Sequence, residues 1–153
     1  RNPQGLTINP ITGALWAHEH GPRGGDEINL PEKGKNYGWP KITYGINYIG
    51  TKITDETKKD GLEQPFYHWT PSIAPSGMTF LTSEIYPNWK NNLFVGSLKF
   101  QYLERLVISD KKVIYREKLF DKIGRVRCIK EGPDGFLYFT VENKGVFKIV
   151  QKK

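Results

Sequence analysis

The apolar positions of this chain fall in short runs punctuated by glycine and proline, a pattern of many brief strands and not of helices. Gly5-Leu6-Thr7-Ile8-Asn9 leads through the turn Pro10-Ile11-Thr12-Gly13 into Ala14-Leu15-Trp16-Ala17-His18-Glu19. Gly77-Met78-Thr79-Phe80-Leu81 passes through a longer insert containing Tyr86-Pro87-Asn88-Trp89 to the run from Asn92 to Leu98. Val126-Arg127-Cys128-Ile129-Lys130 precedes Gly132-Pro133-Asp134-Gly135 and then the run from Phe136 to Val141. Each unit is a strand, a turn and a second strand that opens on a leucine and an aromatic. Leu103 to Ser109 and Val113 to Leu119 read as a hairpin about Asp110-Lys111-Lys112, and Gly145 to Val150 as a last strand. Repeated four-stranded units of roughly 40–50 residues are the signature of β-propeller blades, and about three fit this length. The expected class is all-β.

Composition narrows the picture. The 153 residues suffice for one domain, taken here as 1–153, and sixteen Gly and ten Pro suit frequent turns. The net charge of +7 is spread over pairs such as Lys58-Lys59, Lys111-Lys112 and Lys152-Lys153. No basic helix or aromatic-interleaved stripe accompanies it, so the charge reads as solubility on exposed hairpin tips, and nucleic acid is not an expected partner. No apolar run reaches the 18 residues of a membrane-spanning helix. The single cysteine, Cys128, leaves no intrachain disulfide and is expected to be a buried small apolar residue in its strand. The chain carries no signal-peptide pattern and opens inside a motif, at Arg1-Asn2-Pro3, as a piece of a longer protein would.

The chemistry concentrates in Glu19-His20-Gly21-Pro22-Arg23-Gly24-Gly25-Asp26-Glu27-Ile28-Asn29-Leu30, which continues through Gly34-Lys35-Asn36-Tyr37-Gly38-Trp39-Pro40. It shows no helical or strand period. Glycines and prolines let such a segment turn its own carbonyls and carboxylates toward one point, as a hard cation requires. The spacing is not that of an EF-hand. Together with Arg1-Asn2-Pro3-Gln4-Gly5-Leu6, this run resembles the soluble quinoprotein sugar dehydrogenases, the glucose/sorbosone type that uses pyrroloquinoline quinone (PQQ) and Ca²⁺. The likeness extends from Arg1 to about Lys148.

The resemblance implies a six-bladed propeller of which this chain is the C-terminal half. It implies oxidation of C1 of an aldose to a lactone, with electrons passed to a quinone or dye-like acceptor, in a periplasmic or secreted bacterial enzyme. The backbone carbonyls of Gly21 and Pro22 match those that hold the activating calcium. Glu27 and the backbone of Tyr37 match a second, structural calcium site, with Asp26 an alternative ligand. Arg1, Asn2, His20, Tyr48, Ser72, Lys99, Arg125 and Arg127 match cofactor-contacting positions, and cations among them suit a planar tricarboxylate. Trp69 reads equally as a wall of the sugar pocket or as a core aromatic. The family's histidine base lies on an earlier blade, and none of His18, His20 or His68 matches it. The rival reading is a non-enzymatic binding propeller resembling Hedgehog-interacting protein, whose relatives lack the full set of Lys99, Arg125 and Arg127. Half a ring leaves an apolar flank at each end. Either a missing N-terminal half or a second copy in a homodimer is expected to cover it.

Overall fold

The computed structural model describes residues 1–151, all of them in strands, turns and loops. β1 (Pro3–Ile8), β2 (Leu15–Glu19), β3 (Asp26–Asn29) and β4 (Tyr67–Trp69) form one antiparallel sheet in chain order. β5 (Pro75–Phe80), β6 (Leu93–Ser97), β7 (Leu103–Ser109) and β8 (Lys112–Leu119) form the second. β9 (Val126–Glu131), β10 (Leu137–Val141) and β11 (Gly145–Lys148) form a three-stranded third. The first strands of the sheets, β1, β5 and β9, lie against one another, so the sheets radiate from a common inner edge as three propeller blades. At that edge the backbones meet directly. A Cβ at Gly77 would stand 2.6 Å from Cα of Cys128, and one at Gly5 2.8 Å from the backbone oxygen of Ser76.

Two cores fill the gaps between blades. Trp16, Ile28 and Trp69 of the first blade pack on Ile73, Met78, Phe80, Val95 and Leu106. Leu81, Phe94 and Leu103 of the second pack on Val126, Ile129, Leu137, Phe139 and Val141 of the third. The middle sheet is therefore apolar on both faces, which explains the unbroken run Leu93-Phe94-Val95 in β6. Tyr86 adds a polar tie between blades: its hydroxyl accepts from Leu137 N and donates to Ile149 O, each at 2.8 Å.

Three features depart from the sequence reading. The segment from Glu19 to Trp39 contains a strand, β3, whose buried side includes a polar Asp26 where an apolar residue would have announced it. β4 is only three residues long and follows a loop spanning 30–66, so no hairpin signal marks it. Cys128 is exposed, not buried. The ladder between β9 and β10 shifts register near Thr140 and Val141, so Val126 and Ile129 share the inward face and Cys128 turns out. Lys58, Lys59, Lys111 and Lys112 are exposed as expected, and Lys152-Lys153 lie outside the described residues.

The outer faces of the end blades are bare. On the first, Leu6 and Ile8 are 59% and 62% exposed and pair with Ala17 and Leu15. On the third, Cys128 pairs with Thr140, which pairs with Val146, a more polar surface.

One buried acid organises the junction of the first two blades. Asp26, 1% exposed, accepts from Gly21 N and Ser72 Oγ through Oδ1 and from Ala74 N through Oδ2, all at 2.8 Å. Ser72 Oγ in turn accepts from Gly24 N at 2.9 Å, and Gly25 N donates to Trp69 O at 2.8 Å. The loop between β2 and β3 is thus stitched to the connection between β4 and β5. Asp26→Asn keeps the shape but replaces an acceptor with donors facing donors. We expect a loss on the order of 3 kcal/mol in equilibrium denaturation, since hydrogen bonds to a charged group contribute about 1.5–3 kcal/mol each. Tyr86→Phe strands two buried backbone groups and is expected to cost about 1–3 kcal/mol in the same measurement, with no change in far-ultraviolet dichroism.

Candidate functional site

The loop from His20 to Gly25 divides two clefts that share His20 and Gly21. Its tight course demands glycine. A Cβ at Gly21 would lie 2.2 Å from Gly24 O, and Gly25 sits at φ +68° against the backbone of Tyr44 and Gly45. Reciprocal backbone bonds between Arg23 and Ile46, at 3.1 and 3.2 Å, pin the loop to the 30–66 excursion.

The larger cleft, about 430 Å³, gathers His20, Gly21, Pro22, Tyr48, Ser72 and Lys99, with Arg23, Asp26 and Ala74 completing its wall. These residues come from the loop after β2, the long excursion, the β4–β5 connection and the turn after β6. Lys99 and Arg23 have no carboxylate partner among the described residues; Arg23 reaches only the Tyr48 carbonyl, at 3.5 Å. His20 Nε2 lies 2.7 Å from Pro75 O. A carbonyl only accepts, so Nε2 carries a proton and donates it there. Ser72 is engaged with Asp26 and Gly24 as described, and Tyr48 is 69% exposed at the rim.

The smaller cleft, about 250 Å³, is bounded by Arg1, Glu19, Glu27, Tyr37 and Trp39 together with the shared loop. The Tyr37 hydroxyl donates to Leu30 O at 2.5 Å and accepts from Glu32 N at 3.0 Å, so its side chain is committed to the loop. Burial pushes the Glu27 carboxyl up to about 7. The Asn29 amide holds it down in part, and the Glu19 carboxylate adds to the rise. Asn29 donates to Glu19 Oε1 at 2.9 Å and to Glu27 Oε2 at 3.4 Å, while its own Oδ1 is buried without a partner. An under-stabilised carboxylate beside an orphaned amide oxygen is a donor set that suits a hard cation. Among the described residues no three His, Cys, Asp or Glu side chains converge as a metal cluster, so any cation here needs backbone oxygens.

Arg1 lines the smaller cleft. Its guanidinium donates to His20 O at 3.2 Å and Gly21 O at 3.3 Å and lies 5.3 Å over the Trp39 ring. Asn2 offers its carbonyl to His20 N at 3.0 Å, and its side chain accepts from Gln4. Arg125 and Arg127 stand apart from both clefts, at the inner end of the third blade, where both pair with Glu142 at 2.9 and 2.6 Å. Trp69 is a core residue whose indole N–H donates to Glu104 at 2.7 Å. His18 is fully buried, and burial, with His20 nearby, pulls its imidazole down to about 4. Burial also lowers His68, which stacks on Tyr44 at 3.8 Å. The sequence reading missed Arg23 as a cleft cation, although a cation flanked by Gly-Pro and Gly-Gly was a usable signal. It also missed the part played by Asp26, which is an anchor of the loop.

The glucose/sorbosone dehydrogenase family model matches residues 1–149. The chain is 49% identical over 150 residues to aldose sugar dehydrogenase YliI of Escherichia coli (strain K12), covering 95% of this chain and 40% of that protein. A shorter match, 57% identical over 42 residues, covers 28% of this chain and 9% of quinoprotein glucose dehydrogenase B of Acinetobacter calcoaceticus. A crystal structure of a glucose dehydrogenase superposes with a TM-score of 0.93 at 44% identity, covering 99% of this chain and 45% of that one. The chain therefore spans less than half the length of these relatives. It is a member of the glucose/sorbosone dehydrogenase family.

Proposed function

We propose that this chain is the C-terminal, cofactor-holding half of a PQQ- and Ca²⁺-dependent aldose dehydrogenase that converts C1 of an aldose to a lactone and passes electrons to a quinone or dye-like acceptor. The observation that carries the reading is the larger cleft, where His20, Gly21, Pro22, Tyr48, Ser72 and Lys99 come together from four separate segments. A relative that is a quinoprotein by name supports the choice of cofactor.

When bound, PQQ supplies the electron-accepting quinone and calcium polarises it as a Lewis acid. The chain's own residues do the rest. The carbonyls of Gly21 and Pro22 would hold the calcium, and the Gly21 carbonyl now accepts from Arg1. Asp26 keeps its three hydrogen bonds and holds the loop in register. Lys99, Arg1 and Arg23 bring positive charge to a tricarboxylate, and Asn2, Tyr48 and Ser72 complete its polar surround. His20, its Nε2–H fixed on Pro75 O, lines the same cleft. Arg125 and Arg127, which pair with Glu142 and line neither cleft, add positive charge only at longer range, from the inner end of the third blade. Glu27 and the Tyr37 backbone hold a second, structural calcium.

The proton acceptor for the sugar hydroxyl is assigned to the remainder of the protein. His18 is sealed from any substrate and His68 is stacked in the first blade. A periplasmic or secreted bacterial setting, and coverage of the bare flanks by the remaining blades or by a second copy, belong to the same reading.

The direct test is aldose-dependent dye reduction by the full-length protein after PQQ and Ca²⁺ are added. Activity requiring both supports the proposal, and its absence with every aldose tried refutes it. Calcium should also register without turnover. In chelator, the raised Glu27 pKa means the folded state holds a proton that the unfolded chain releases near 4.5. Stability from this group is thus full below about 4.5 and falls as pH rises to about 7. Calcium should abolish that fall and raise the melting temperature most above pH 7. Glu27→Gln should flatten the pH dependence in chelator and remove most of the calcium gain. Identical melting with calcium and chelator would rule the structural site out.

A further inference from the structure

Across the Ser97–Gln101 turn from the cofactor cleft lies another, of about 330 Å³, between the first two blades. Its floor is a closed electrostatic unit. Glu104, 1% exposed, accepts from Trp69 Nε1 at 2.7 Å through Oε2, and from Arg116 Nε and NH2 at 2.8 and 2.6 Å through Oε1. The carboxylate is spent and shielded, so its negative charge is not offered to the mouth. What faces outward is cationic. Lys118 has no carboxylate partner among the described residues and stands 5.2 Å over the Tyr102 ring; Arg116 lies 5.4 Å over Tyr67.

The two neighbouring clefts together are lined by four cations, Arg23, Lys99, Arg116 and Lys118, against two carboxylates. Both carboxylates, Asp26 and Glu104, are buried and saturated. Interleaved with the cations are exposed apolar side chains. Phe100 is 39% exposed and stacks on Tyr102, and the Tyr48 ring, 69% exposed, lines the cofactor cleft beside Arg23 and Lys99. A small anion would need only the cleft. Apolar side chains beside Arg23, Lys99 and Lys118, none of which has a carboxylate partner among the described residues, match a protein partner, because cations steer it and apolar contacts hold it.

We propose that this rim docks an acidic electron-accepting protein, one of whose surface carboxylates enters the cleft beside Arg116 and Lys118 while an apolar patch covers Phe100. The inference rests on the dehydrogenase reading above. Oxidation of an aldose to its lactone releases two electrons and two protons. A one-electron carrier therefore docks twice per sugar, and the protons leave to solvent. Phe100 directly follows Lys99, so a partner seated there abuts the cofactor cleft.

The test uses the full-length protein loaded with PQQ and Ca²⁺, with an acidic c-type cytochrome as probe and an uncharged short-chain quinone and ferricyanide as controls. Binding of the oxidised cytochrome is followed by surface plasmon resonance, and its reduction by absorbance. Wild-type binding should weaken steeply from ~0.05 to ~0.3 M salt. Lys118→Glu should weaken cytochrome binding and kcat/KM by about tenfold, and Lys118→Gln by less, with quinone turnover unchanged. Unaltered cytochrome binding in Lys118→Glu, or binding insensitive to salt, overturns the proposal. So does an equal loss with ferricyanide, which would make the cleft a small-anion site. If the wild type fails to reduce the quinone, the dehydrogenase reading falls, while the binding arm still judges the docking surface.

Discussion

The site hangs on one buried carboxylate. Withdrawing Asp26 from water is costly, and the cost is offset only because three donors from two segments converge on it. Gly21 N belongs to the loop after β2, and Ser72 and Ala74 to the connection that starts the second blade. The same contacts that fix how two blades meet therefore hold Gly21 N in place, and with it the loop that carries the Gly21 and Pro22 carbonyls. The same geometry favours Glu27 over Asp26 as the carboxylate of the proposed structural calcium site. A carboxylate that already accepts three hydrogen bonds and is walled from solvent is a poor recruit for a cation, whereas Glu27, half-buried and pushed toward its neutral form, gains from one.

Much of the fold was legible because each blade repeats a local signal. The strand pairs around Pro10–Gly13, Asp110–Lys112 and Gly132–Gly135 all announce themselves by alternation and turn chemistry. The strands that did not, β3 and β4, are short and gain stability from polar burial and from the long excursion between them. Cys128 misled because alternation assumes an unbroken ladder, and the register shift opposite Thr140 breaks it.

The site divides the same way. His20, Gly21 and Pro22 are contiguous, so their grouping was readable as a motif. That Tyr48, Ser72 and Lys99 share their cleft is a product of how blades stack, and the sequence shows it only through the family pattern. Arg125 and Arg127 illustrate the limit: strand spacing put them on one face, but the partner on that face, Glu142, comes from the turn after β10. The end flanks follow from the same stacking. The first presents Leu6, Ile8 and Leu15, the third Cys128, Thr140 and Val146, so whatever closes the ring must offer a strongly apolar face to one and a mixed face to the other.

The central claim is that Asp26 anchors the loop so that backbone carbonyls, not side-chain carboxylates, receive the activating ion. The most direct measurement is anomalous diffraction from crystals of the full-length protein grown with Ca²⁺ and PQQ. The account predicts a peak about 2.3–2.6 Å from the carbonyl oxygens of Gly21 and Pro22, with Asp26 still bound to Gly21, Ser72 and Ala74. A peak on the Asp26 carboxylate, with those hydrogen bonds broken, would contradict it.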